Sequence, residues 1–176
     1  TQEPWSQLRL LVAVSTGPTL LESIDHSAFF ALASPIRIDE LSAAQVAQLA
    51  ALYGQTPTEQ TVDRLRARLG GHPYLLRLAL AEAYEQGLEL AALVDHLGSG
   101  TGVFTSHLLQ LRKALQVQPA LLKALGSVLV DPQSPLNFRE YCALYSKGLL
   151  LEEEPGSYRV RCKLYEDYFG ALCKKR

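Results

Sequence analysis

Apolar residues recur at three- and four-residue steps along most of the chain, the signature of helices that bury one face. The exception comes first. Residues 8–14, LRLLVAV, form a run that is apolar but for Arg9, the pattern of a strand buried on both faces of a parallel sheet. A short buried helix, or an edge strand packed on helices, would give the same run. A parallel strand needs partners, and the other strand candidates lie at the far end of the chain. The rest of its sheet is therefore expected upstream, so that the chain begins partway through an α/β domain. Residues 15–38 follow as a long segment rich in Ser, Pro and Gly, with an apolar middle of Ala28, Phe29 and Phe30. A connection of that length is usually functional or held down by a partner.

From residue 39 onward the pattern predicts helices. Ser42 is an N-cap, Val46, Leu49, Ala50 and Tyr53 share one face, and Gly54 ends the segment. Thr56, Pro57 and Glu59 read as a capping box with Pro at the first helical position. That helix runs through Val62, Leu65 and Leu69 to Gly70-Gly71. His72-Pro73 opens the next helix, with Leu75, Leu76, Leu78, Ala79 and Ala83 inward and Gly87 at its end. A short helix covers residues 88–97. GSGTG, residues 98–102, is a flexible joint and the best internal boundary. Helices are expected over 103–117 and from Pro119 to about Val130, then a turn at DPQSP, residues 131–135. Asn137 caps a helix carrying Phe138, Tyr141, Cys142 and Tyr145. GLLLEE and YRVRC, split by EPGS at residues 154–157, predict a β-hairpin. A last helix holds Leu164, Tyr165, Tyr168, Phe169 and Leu172. Helix, helix, hairpin, helix is the order of a winged-helix unit.

Composition narrows the function classes. Lys and Arg total 17 against 18 Asp and Glu, so no general charge draws the chain to nucleic acid or to an anionic membrane. No apolar run approaches the ~20 residues of a bilayer span, and the N-terminus lacks the basic lead and cleavage site of a signal peptide. The cysteines, Cys142, Cys162 and Cys173, are odd in number and lack paired spacing, which argues for reduced thiols in a cytoplasmic protein.

A complete catalytic site is missing from the text. There is no GxxxxGK[ST] phosphate loop, no apolar strand ending in paired acids, no GxSxG elbow, no HExxH and no CxxC. GSGTG follows no strand and precedes no lysine in register, so a hinge suits it better than a phosphate cradle. His26, His72, His96 and His107 show no metal-ligand spacing. His96 and His107 read as surface or partly packed residues, and Asp25-His26 as a loop dipeptide. The sharpest local feature is GGHPYLL. Two glycines permit a tight turn and Pro73 begins a helix without wasting a donor. A rigid Pro ring and an aromatic at a helix N-terminus can also pack a flat base and leave backbone donors facing anions.

Taken together, LRLLVAVST, FF, GGHPYLLRLAL and RCKLYEDYF resemble, in that order, the STAND class of P-loop ATPases, and most of all its bacterial AAA-like domain, over nearly the whole chain. The resemblance implies a mainly α fold in three parts. Residues 1–38 would be the end of an α/β ATPase core, its sensor-1 strand and linker. Residues 39–102 would be a helical lid with a Gly-x-Pro turn, and 103–176 a winged-helix domain. It also implies roles in nucleotide binding. Ser15 and Thr16 would be the polar strand tip that reads the terminal phosphate. Pro73, within Gly71-His72-Pro73, would stack on adenine. Arg161-Cys162-Lys163-Leu164 stands where related proteins carry Met-His-Asp-Leu, whose His contacts the β-phosphate. Cys162 replaces that His, and a thiol is a poor phosphate donor.

The same resemblance places the phosphate loop and the magnesium-holding acids upstream of Thr1. The full protein would then bind ATP or ADP with Mg, whereas the fragment alone is expected to hold no cofactor and to catalyse nothing. The implied function is a nucleotide-dependent signalling switch. Lid and winged helix would clamp the nucleotide, release on exchange, and regulate a linked effector domain, with self-association possible. The alternatives are a winged helix that binds DNA and a plain protein-interaction module. For DNA, the tail offers Arg159, Arg161, Lys163, Lys174, Lys175 and Arg176. The recognition helix, residues 137–147, offers only Arg139 and Lys147 beside Glu140, with no Asn or Gln beyond the capping Asn137.

Overall fold

A computed structural model describes residues 38–97, 102–154 and 157–173, together with the isolated positions Leu11 and Ile36. The strand expected at 8–14 apart from Leu11, Ser15 and Thr16, nearly all of the 15–38 segment, most of the GSGTG joint, the hairpin tip and the last three residues lie outside them. Within the described residues the fold is mainly helical with one small antiparallel sheet near the C-terminus.

Helix α1, Ala43–Leu52, starts at a two-way capping box. The Gln45 backbone N–H donates to Ser42 Oγ at 3.3 Å, and the Ser42 N–H donates to Gln45 Oε1 at 2.9 Å. Helix α2, Glu59–Leu69, starts two residues later than Thr56 would place it. Its cap is Thr58, whose hydroxyl accepts the Thr61 N–H at 3.2 Å, and Pro57 sits just ahead of that cap. Either threonine satisfies the local rule; the one in reach of a free N–H three residues on is used. Helix α3, Pro73–Gln86, begins with its proline at the first turn and buries Leu75, Leu76, Ala79, Leu80 and Ala83, with Leu78 half-buried beside them.

Helix α4, Leu90–His96, has no side-chain cap of its own. Gln55, from the connection between α1 and α2, supplies one from outside. Its amide oxygen accepts the Leu90 N–H at 2.9 Å and its amide nitrogen donates to the Leu88 carbonyl at 3.0 Å. Both ends of one amide thus satisfy backbone groups more than thirty residues away. Gln55→Ala is expected to cost about 1–2 kcal/mol, because it strands a helix N–H and a carbonyl together. Urea unfolding followed by circular dichroism measures this, and an unchanged midpoint would refute the role.

A single 3-10 turn, Gly102–Phe104, leads into α5, Thr105–Gln116, which is followed by α6, Pro119–Val130, and α7, Phe138–Ser146. Asn137 and Glu140 cap α7 reciprocally, at 2.9 and 3.1 Å. Strands β1, Leu150–Glu154, and β2, Ser157–Val160, pair with Leu150 opposite Val160 and Glu152 opposite Tyr158, with an irregularity between Glu152 and Glu154. Helix α8, Lys163–Cys173, is the last of the described elements. Helix α7, the hairpin and α8 gather around α6 in a winged-helix-like unit.

That unit is not a separate bead. α8 also lies against α2, with Leu164, Tyr165 and Phe169 wholly or nearly wholly buried on its inner face. A single apolar core runs from Val46 and Leu65 through Leu80, Leu108 and Leu125 to Phe169. Burial of this kind stabilises by roughly 1.5–3 kcal/mol per large side chain, so it sets how firmly the first four helices and the C-terminal unit are held together. An ion pair at the same boundary, Arg68–Asp167, joins a mostly shielded guanidinium to an exposed carboxylate and adds little by comparison.

Candidate functional site

The turn after α2 and the turn before α8 meet at the boundary between the two helical groups. Between them stands Glu40. Its Oε2 accepts the backbone N–H of Gly71 at 3.2 Å, and its Oε1 accepts from Arg161 Nε at 3.0 Å. The neighbouring Leu41 N–H donates to the Gly71 carbonyl at 2.9 Å, so residues 40–41 run alongside the glycine turn. Arg161 is set in place by the hairpin, because its N–H donates to the Leu149 carbonyl at 2.9 Å and prolongs the β1–β2 ladder by one step. Glu40 and Arg161 are both mostly shielded from solvent, at 23% and 21% side-chain exposure. This pair is therefore screened less than a surface salt bridge.

Two glycines make the approach possible. A Cβ on Gly71 would lie 2.6 Å from the Leu41 carbonyl oxygen. On Gly148, whose φ is +70°, a Cβ would lie 3.1 Å from Arg161 Nη1. A side chain at either place would displace backbone or guanidinium.

Behind the turn lies a ring cluster. His72 meets Tyr165 edge-on at 6.2 Å between centroids, and His107 lies 5.0 Å from Tyr74. The Tyr165 hydroxyl and His107 Nε2 are hydrogen-bonded at 2.7 Å. His72 Nδ1 is buried with no partner among the described residues. Burial first, then the positive charges of Arg161 and His107, pull the His72 pKa down to about 4. Burial also lowers that of His107. Both rings are neutral at pH 7, so Arg161 supplies the positive charge of the joint.

Cys162 is buried at the start of α8. Burial pushes its thiol up to about 11, and the N–H groups of Tyr165 and Leu164 offset this only in part. It is a neutral thiol, neither a nucleophile nor a charge partner for phosphate. Pro73 is exposed at the first turn of α3, open to a stacking partner. Of the candidates read from the sequence, Gly71, His72, Pro73, Arg161 and Cys162 come together here; Ser15 and Thr16 lie outside the described residues.

Sequence reasoning missed Glu40, Tyr165 and His107 as members of the joint. Each acts through partners far along the chain, and no local spacing marks them. It also missed an open cleft of about 480 Å³ beside Glu40, lined among others by Asp63, Arg66, Arg159, Lys163 and Glu166. Arg66 Nε is buried there without a hydrogen-bond partner among the described residues. The other cations are engaged: Arg159 with Glu153, Lys163 with Glu166 and Asp167. This leaves the tail less charge for a nucleic-acid backbone than its sequence suggests.

A backbone N–H and a guanidinium converging on one carboxylate form a set that suits any oxyanion, phosphate included. Among the described residues no group of three His, Cys, Asp or Glu side chains could hold a metal ion, and no helix is long and apolar enough to cross a membrane. Neither a curated protein nor a solved structure matches the chain. The AAA-like domain family matches it over residues 1–171, and with nearly the whole length so covered, the chain belongs to the AAA-like domain family.

Proposed function

We propose that this chain is the sensing part of a STAND-type, nucleotide-dependent switch, in which the helices around Gly71-His72-Pro73 and the winged-helix-like unit together clamp ADP or ATP. The observation that carries the reading is the meeting of Gly71 and Arg161, ninety residues apart in sequence, on the two oxygens of one carboxylate. Membership of the AAA-like family supports a nucleotide as the ligand. Exposed Pro73 supports a stacked adenine, and the Gly71 N–H with Arg161 supports a phosphate oxygen. Mg and the phosphate loop would come from the upstream half, and an effector domain of the same protein would read out the change.

A switch works through contacts that differ between its two states. The joint provides such contacts, since opening it separates Arg161 from Glu40 and α8 from α2. The buried neutral thiol of Cys162 means that any sensing of the β-phosphate here falls to Arg161. The test joins the upstream half to this chain and compares ADP affinity with and without Pro73→Ala. Loss of one face of stacking is expected to weaken ADP about fivefold to tenfold. Equal affinities would overturn the adenine role of Pro73.

A further inference from the structure

The Glu40 carboxylate bridges the Gly71 N–H and the Arg161 guanidinium with one oxygen on each. That is how a terminal or bridging phosphate oxygen pair is held elsewhere, by one backbone donor and one arginine. The bridge is tightly enclosed. A Cβ on Gly70 would lie 3.2 Å from the Arg161 carbonyl and 3.4 Å from Glu40 Oε1. The cleft beside it carries the cations Arg66, Arg159 and Lys163 as well as the acids Asp63 and Glu166, and the buried Arg66 Nε has no partner among the described residues.

We infer that Glu40 is an internal anion seated in an oxyanion site, an autoinhibitory contact that a phosphate group of a ligand must displace. This deepens the nucleotide reading and rests on it for the physiological ligand, while the site itself is defined by Gly71, Arg161 and Glu40 alone. While Glu40 is seated, the connecting segment, the glycine turn and the hairpin are bound to one another. When a phosphate takes its place, residues 40–41 are released from the turn, and Leu41 can leave the Gly71 carbonyl. Ligand entry and movement of the segment that leads in from the N-terminal side are thereby one event.

The probe is inorganic pyrophosphate, titrated by calorimetry into the 176-residue chain, into Glu40→Gln, and into Glu40→Gln with Arg161→Gln. Glutamine keeps a carbonyl oxygen for the Gly71 N–H but removes the competing charge. Glu40→Gln is expected to bind pyrophosphate about tenfold more tightly than wild type, and the added Arg161→Gln to abolish the gain. A folded Glu40→Gln that binds no better, or a gain that survives Arg161→Gln, overturns the inference. A second measurement needs no variant: in the wild-type chain, pyrophosphate should move the Gly71 amide resonance, and an unmoved resonance at saturation overturns the site. Pyrophosphate has no base, so its binding does not report on the stacking role of Pro73. A failed titration therefore removes the internal anion and leaves the nucleotide reading to its own test at Pro73.

Discussion

Gly71→Ala is expected to lower stability by about 3 kcal/mol, and the melting temperature of a chain this size by roughly 6–12 °C. The new Cβ would stand 2.6 Å from the Leu41 carbonyl oxygen, 2.6 Å from Glu40 Cβ and 2.8 Å from the Leu41 nitrogen. Two of these three atoms are main chain, so no change of rotamer relieves the collision. Residues 40–41 must retreat, and in doing so they lose the Leu41 hydrogen bond to the Gly71 carbonyl and the Glu40 bond to the Gly71 N–H. Arg161 is then left beside a displaced partner. Thermal unfolding followed by far-UV circular dichroism measures the effect. A melting temperature equal to that of wild type would show that the two segments are not held together as described.

The second large effect is on acid stability. The His72 pKa falls from 6.5 to about 4 on folding, so between those values the unfolded chain binds a proton that the folded chain does not. The slope of unfolding free energy with pH is then positive. Stability is complete above pH 6.5 and is lost as the pH falls toward 4, at up to about 1.4 kcal/mol per pH unit, or about 3 kcal/mol in all. His107 shifts in the same direction through burial and adds to the slope. Asp167 acts in a different window. Partial burial raises its pKa, but hydrogen bonds from Arg68 and Lys163 outweigh this and hold it below 3.8; its contribution is lost only as the pH falls below that value. His72→Asn removes the titrating ring while leaving a residue that can cap α3. Denaturant unfolding across pH 4 to 7 should show a clearly shallower slope for His72→Asn. Parallel curves for the two proteins would rule out His72 as the source.

Local chemistry in the text was enough for most of the helices. Ser42 and Asn137 each precede a residue three positions on whose side chain returns the hydrogen bond, Gln45 and Glu140. Pro73 and Pro119 open α3 and α6 where a proline costs no helix bond. The hairpin followed from two short β-rich runs about a Pro-Gly turn. At α2 the local signal misled: Thr56 with Pro57 and Glu59 read as the capping box, but Thr58 is the cap, because its hydroxyl is the one that has the Thr61 N–H in reach. The cap of α4 was unreadable for a related reason: Gln55 lies in another connection, and glutamine has no local preference that announces such a role.

The site divided along the same line. Gly71, Pro73, Arg161 and Cys162 could be named from residue type and resemblance, because glycine pairs, Gly-x-Pro and the residues opening the last helix are visible in one dimension. Their chemical state was not visible. Whether Cys162 is a thiol or a thiolate, or His72 charged or neutral, depends on how much water reaches them and which charges stand nearby, and burial is a property of the assembled core. Glu40 looked like one acid among many; 121 positions separate it from Arg161. By itself, then, the sequence determined the helices, the hairpin and the family, since those follow from periodicity and from bonds a few residues long. Only the tertiary structure decided that the glycine turn and Arg161 share a carboxylate, because that contact exists only once α8 is buried against α2 and the two ends of the described chain are brought together.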